Sequence, residues 1–385
     1  MTYDHQVQGT VAAGFEQVRA EFAAVAADQG GDYAAQLVAY AGSEQVVDLW
    51  VGPEMAGDTL TGVFSVTKGA TALVVALLLQ DGVLDLDQRV AHYWPEFAAA
   101  GKQDITLRTL FSHQAGLVGV EGGLRVEEVA DDRVIAARLA AQAPYWRPGA
   151  AHGYHALVIG ALANEVVRRA TGRSVQEIYE ERVRVPFDLD FHLGLPAELE
   201  PRFRTSQPLL PTPEQQAALR AGATGVHSLT GIAFNRNHPQ APALDELPNL
   251  PLVRRLSPAS VGGVGSARGI AAMYAAAVSG LNGAAPLLKP ETLALVGQIQ
   301  TAGKDQVTLG ANAFGVIFQA AADRYPALGQ GAIGHSGAAG AMALADPRSG
   351  LAYGYVRRRF TFPGGAAPEN DRLVPAVHGA VVAAL

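Results

Sequence analysis

Residues 69–79 constrain this chain more than any other segment. They are almost wholly apolar and stand between Lys68 and Gln80-Asp81. A helix that spans a bilayer needs about 20 such residues, so this run is too short to cross one. A helix apolar on nearly every side has to be enclosed by other layers of the protein. The chain must therefore build a large core around it. Its 385 residues, 49% hydrophobic and 17% charged, suffice for one large two-part unit or two domains and argue against disorder.

The residues that open this helix carry the first sign of chemistry. In Ser65-Val66-Thr67-Lys68 the serine and the lysine are three apart, so a helix sets them on one face within hydrogen-bond reach. Serine is a poor nucleophile until a base takes its proton. A lysine amine can be that base if its pKa falls from about 10.4. Burial and the partial positive charge of a helix N-terminus both push it down. The chain has only four lysines, Lys68, Lys102, Lys289 and Lys304, which makes each easier to weigh. Taken alone, the four residues fit equally well a helix-start serine beside a solvated lysine.

Two further segments hold candidates. Tyr154 lies in Pro148-Gly149-Ala150-Ala151-His152-Gly153-Tyr154-His155-Ala156. A tyrosine beside a protonated lysine has its phenolate favoured and could pass protons between nucleophile and leaving group; the alternative is a ring packed at a helix start. His152 and His155 are spaced like a histidine pair on a helix, but no third ligand is apparent, so no metal site is expected. The other segment is Gly334-His335-Ser336-Gly337-Ala338-Ala339-Gly340. Ala338 breaks the Gly-x-Ser-x-Gly pattern of a nucleophile elbow. An edge strand whose backbone N–H polarises a carbonyl is the better use of it, with a plain Gly-rich turn as the alternative. Gly262-Gly263-Val264-Gly265 lacks the context of a dinucleotide loop.

Composition removes several classes of function. Without cysteine, disulfides, thiolate catalysis and Cys-ligated metals are excluded. A net charge of −7 gives no electrostatic reason to expect nucleic acid or an anionic membrane as partner. Met1 to His5 show no basic region leading into an apolar run, so no signal peptide and a cytoplasmic location are expected.

Apolar spacing through Val11, Phe15, Val18, Phe22 and Val25 predicts a helix over 7–27. Strands are predicted over 36–40 and 46–51, joined as a hairpin. Helical stretches at 133–142, 154–171 and 175–183 follow. Residues 201–258 hold nine prolines and read as the wall or lid of a pocket. Ser266 is placed to cap a helix over 269–279. Strands at 314–319, 341–345 and 351–357 and a helix over 373–385 complete the chain. This order predicts an α+β fold with a sheet built from both chain ends. Residues 1–85 and 256–385 would form an α/β domain, and 86–255 an inserted, mostly helical domain with long pocket-lining loops.

Five segments occur in the order seen in class C β-lactamase-like serine hydrolases of the penicillin-binding-protein fold. They are Phe64-Ser65-Val66-Thr67-Lys68, Leu110-Phe111-Ser112-His113-Gln114-Ala115-Gly116-Leu117, Pro148-Gly149 with Tyr154-His155, Gly262-Gly263-Val264-Gly265-Ser266-Ala267-Arg268, and Gly334-His335-Ser336-Gly337. The chain most resembles family VIII carboxylesterases, over nearly its whole length. The resemblance implies a β-lactamase/transpeptidase-like antiparallel sheet flanked by helices, with the site in the cleft beside a helical domain. It implies acylation of Ser65 with Lys68 as base, Tyr154 as proton relay, and the backbone N–H groups of Ser65 and Ala338 as oxyanion hole. His335, Ser336 and Gly337 would line the substrate site.

The chain departs from the β-lactamase pattern twice. Ala156 stands where Tyr-x-Asn has its amide, and His335-Ser336-Gly337 stands where Lys-Thr-Gly has its lysine. Both losses favour small-molecule esters over β-lactams or cell-wall peptides. The expected activity is hydrolysis of short-chain or small acyl esters with no metal or cofactor. A β-lactamase or peptide amidase on the same fold, and a catalytically silent binding protein, are the alternatives. A homodimer stays open.

Overall fold

The computed structural model describes residues 6–385, so the leader reading of Met1 to His5 lies outside the described residues. The strands are β1 (Gln8–Val11), β2 (Ala35–Ala41), β3 (Glu44–Val51), β4 (Thr61–Gly62), β5 (Phe191–His192), β6 (Val264–Gly265), β7 (Thr301–Lys304), β8 (Ala311–Phe314), β9 (Gln319–Ala320), β10 (Ile333–Ser336), β11 (Met342–Asp346) and β12 (Leu351–Arg357). Nine of them form one antiparallel sheet in the order β1-β3-β2-β12-β11-β10-β9-β8-β7. At its centre β2 pairs with β12, from Ala35 opposite Arg357 to Ala41 opposite Leu351. The two ends of the chain therefore meet in the middle of the sheet, as the predicted α+β arrangement requires.

The central strands are rich in Val, Leu and Tyr and buried almost throughout, because both faces of the sheet are covered. On the outer face lie helices α1 (Glu16–Gln29) and, at the chain's end, Asn370–Ala383. They bury Phe22 and Val377 against Leu37, Tyr353 and Tyr355. On the inner face lies α2 (Thr67–Gln80), of which only Leu79 and Gln80 reach the surface. With it pack α3 (Asp132–Ala141) and α4 (Ile159–Thr171) of the insertion, and α5 (Ala267–Val278). No helix among the described residues is long and apolar enough to cross a membrane.

A second, three-stranded sheet, β4-β6-β5, was not foreseen. It ties the segment before Ser65, through β4, to the insertion and to the chain entering α5.

The structure corrects several boundaries. Residues 7–27 are not one helix, since β1 pairs with β3 before α1 begins at Glu16. Helical spacing survives only from Phe15 onward. The stretch 154–171 is helical only from Ile159, and Tyr154 lies in the irregular lead-in, which turns through 156–158. The predicted strand 314–319 is a tight hairpin between β8 and β9, reversing through Ile317 at φ +66°. Strand β10 is not an edge strand: it pairs with β11 throughout and with β9 at Ile333 and Gly334. Only His335 and Ser336 extend past β9 and keep one side open. Ser266 caps α5 as expected, accepting the Gly269 N–H at 3.2 Å.

Candidate active site

The chain passes from β4 into α2 through one 3-10 turn, Phe64–Val66, with Ser65 at its middle. Phe64 has φ +51°, a left-handed conformation that costs a residue with a side chain about 1–3 kcal/mol and persists only when its surroundings over-determine it. They do so here. The Phe64 ring packs edge-on against Phe360 at 5.0 Å. Its carbonyl accepts Thr67 Oγ1 at 2.5 Å, and that hydroxyl in turn accepts the Gly263 N–H at 2.9 Å. A Cβ on Gly263 would lie 2.8 Å from Thr67 Oγ1. Gly263 thus serves close packing against the Ser65 turn.

Lys68 stands one turn further on and has no exposed surface. Its Nζ donates to the carbonyls of Ala156 at 2.6 Å and Ser260 at 2.9 Å and lies 2.9 Å from Ser65 Oγ. A neutral amine has two N–H groups and one lone pair. With both N–H groups taken by carbonyls, the lone pair faces the serine hydroxyl. Burial holds the Lys68 pKa well below that of a free lysine, and no carboxylate opposes it. Burial thus favours the neutral amine, the form that can accept a proton.

Tyr154 closes the other side. Its ring stacks parallel on Phe314 at 5.8 Å, tilts against His335 at 5.8 Å and lies 5.0 Å from Lys68 Nζ. Burial raises its pKa above that of a free phenol, and the Ser65 side chain beside its hydroxyl pulls less strongly the other way. The expectation of a favoured phenolate therefore fails in the resting site. Tyr154 rests as a phenol, able to give a proton.

Burial pushes the pKa values of His113, His155 and His335 down, which favours their neutral form. His155 donates from Nδ1 to the Gly153 carbonyl at 2.7 Å and accepts the Leu117 N–H on Nε2 at 3.2 Å. Both of its nitrogens are spent, so it has none to offer a metal alongside His152. Burial lowers its pKa to about 4. His113 Nδ1 accepts the His155 N–H at 3.1 Å, which joins the 113–117 segment to the one bearing Tyr154. His335 donates from Nδ1 to the Ser336 carbonyl at 2.8 Å, so its buried Nε2 is a bare acceptor without a partner. Burial lowers its pKa to about 3.

The segment after β10 approaches the serine turn closely. A Cβ on Gly337 would sit 2.4 Å from the Val63 carbonyl. The Gly337 N–H is fixed to the Ala341 carbonyl at 2.8 Å, whereas the N–H groups of Ser65 and Ala338 meet no backbone carbonyl. Ser336 spends its hydroxyl and N–H on Gln319 Oε1, at 3.2 and 2.9 Å.

Comparison with known proteins agrees with this geometry. The family model described as Beta-lactamase matches residues 19–377. The chain belongs to the β-lactamase family. Its fold is similar to that of EstA from Arthrobacter nitroguajacolicus Rue61a, with a TM-score of 0.91 and 40% identity over 98% of this chain and 99% of EstA. It is also similar to a family VIII carboxylesterase, with a TM-score of 0.86 and 32% identity over 97% of this chain and all of that one. The esterase/beta-lactamase LipL of Mycobacterium tuberculosis is 32% identical over 342 residues, 85% of this chain and 77% of LipL. This β-lactamase-family chain is thus a serine hydrolase, as its ordered motifs implied.

In this family member, Ala156 supplies a backbone carbonyl to Lys68 where an Asn side chain would offer an amide, and His335 supplies no positive charge. Sequence reasoning missed the Ser260 carbonyl, Phe314 and Asp305. Ser260 acts through its backbone, and Asp305 meets Tyr154 across 151 positions. Neither leaves a local pattern.

Proposed function

We propose that this hydrolase is a carboxylesterase that cleaves esters of small, uncharged acids through an acyl-enzyme on Ser65. The observation that carries the reading is the Lys68 amine, buried without a carboxylate and 2.9 Å from Ser65 Oγ. As Oγ adds to the ester carbonyl, the Lys68 lone pair takes its proton. The oxygen that becomes negative meets the N–H groups of Ser65 and Ala338. Losing one such donor typically costs about 3–4 kcal/mol of transition-state stabilisation. The Tyr154 phenol protonates the departing alcohol and is refilled from Lys68. In the second half, water loses a proton along the same path, its oxygen attacks the acyl carbon, and Ser65 recovers its hydroxyl.

His335, Ser336 and Gly337 would line the substrate side. A neutral His335 offers a carboxylate no counter-charge, which supports uncharged acyl groups. The name of LipL couples esterase with β-lactamase, so β-lactam hydrolysis is the second reading. Parallel turnover of a p-nitrophenyl ester and a chromogenic cephalosporin separates the two, with the ester expected to be much faster. A fluorophosphonate should label Ser65 alone, and an adduct mapped to another residue would overturn the mechanism.

A further inference from the structure

We propose that Asp305 is the positioning residue for Tyr154, holding its phenol in working register beside Ser65. The proposal rests on the proton-relay reading of Tyr154. Asp305 is fully buried, in the connection between β7 and β8. Its carboxylate receives the Tyr154 N–H on both oxygens, at 3.2 and 3.0 Å. It also receives the N–H groups of Val307 at 2.7 Å and Thr308 at 2.9 Å, and Asn312 Nδ2 at 3.4 Å. Every donor is a neutral amide, so the buried carboxylate is held by geometry and not by a counter-ion.

The same hairpin grips the Tyr154 segment at other points. Phe314, at the end of β8, stacks on the Tyr154 ring. The Gln306 N–H donates to the His152 carbonyl at 3.0 Å. Thr230 Oγ1 from the insertion donates to the Val307 carbonyl at 2.5 Å. Tyr154 precedes the first helical turn of α4, so no helix ladder fixes its backbone. Two residues on, the Ala156 carbonyl accepts Lys68 Nζ. A shift of this short segment would move the phenol relative to Ser65.

Asp305→Asn keeps one acceptor oxygen and turns an NH2 toward N–H groups that need an acceptor. In this variant kcat should fall roughly ten- to a hundredfold, the scale of an ångström's misplacement, while KM stays within about twofold. The deciding experiment is a double-mutant cycle with Tyr154→Phe on folded enzyme, with thermal melts alongside. Tyr154→Phe alone should lower kcat by about two orders of magnitude or more, and an unchanged kcat would sink the relay reading itself. In the Tyr154→Phe background, Asp305→Asn should cost no more than about threefold, because the group it positions is gone. The same factor in both backgrounds, or a folded Asp305→Asn enzyme with parental kcat, overturns the positioning role. If Asp305→Asn does not fold, Thr230→Val in the same cycle loosens the hairpin while keeping the carboxylate. A loss confined to the Tyr154 enzyme supports the proposal, and equal losses or none refute it.

Discussion

Lys68 and Lys102 are both without exposed surface, and burial alone drives both pKa values down. The resemblance ends there. Lys68 sits in the first turn of α2, where the helix carries partial positive charge, and its Nζ reaches a serine hydroxyl besides two carbonyls. Lys102 donates to the carbonyls of Ala99 at 2.7 Å and of Gln142, the residue that closes α3, at 2.5 Å. Carbonyls at a helix C-terminus carry partial negative charge and favour the ammonium. Lys68 is held well below the ordinary lysine value, and Lys102 is lowered less far. What separates them is the neighbour: only Lys68 has a serine hydroxyl within reach, so only there can a lone pair favoured by burial meet a proton to take.

The strongest way to break this contrast is to remove each amine. Ser65→Ala or Lys68→Ala should lower kcat by about four orders of magnitude or more in protein that still melts cooperatively. Lys102→Ala should leave kcat within about twofold but cost roughly 1–3 kcal/mol of stability, because two buried carbonyls lose their donor. Active-site titration with thermal melts tests both, and an equal loss of kcat in the two lysine variants would end the comparison.

A smaller effect sharpens it. A lysine whose pKa falls on folding binds fewer protons in the native state than in the unfolded one, so its contribution to stability rises with pH. Between the lowered folded pKa of Lys68 and its unfolded value near 10.4, the parent enzyme should gain stability relative to Lys68→Met. Denaturant melts at pH 7 and pH 10 should show that gap moving in the parent's favour. The ester-cleavage rate should fall on the acid side, as the amine gains a proton. No change in the gap would mean that Lys68 is charged when folded.

The smallest effect belongs to His335. Already neutral, with a pKa near 3, it should add no inflection to the rate profile between about pH 5 and 7. His335→Ala should change KM more than kcat in steady-state ester assays, and a loss of kcat as large as that of Lys68→Ala would give the histidine a part in the chemistry itself.

Local pattern carried some of this and missed the rest for identifiable reasons. Residues 69–79 announce α2 because apolar residues on every side leave a helix no alternative to the core. Strands β2, β3 and β12 read directly from their Val, Leu and Tyr content. Phe15 to Val25 did give a helix, but Val11 ahead of it joined an edge strand, since a partner strand can claim residues that also fit a helical spacing. Tyr154 looked like a helix start. Asp305 and His113, distant in sequence, take the backbone N–H groups of Tyr154 and His155 and keep them outside the helix.

The sequence by itself determined the chemistry on offer: a serine and a lysine one helical turn apart, a core helix to bury them, no thiol, and ordered motifs that name the fold. The folded surroundings settle which way each group is pushed: burial moves Lys68, His113, His155 and His335 down and Tyr154 up. Those are properties of surroundings. They depend on carbonyls, rings and carboxylates from distant parts of the chain, the Ser260 carbonyl lying 192 positions from Lys68, and no short stretch of sequence records who its neighbours will be.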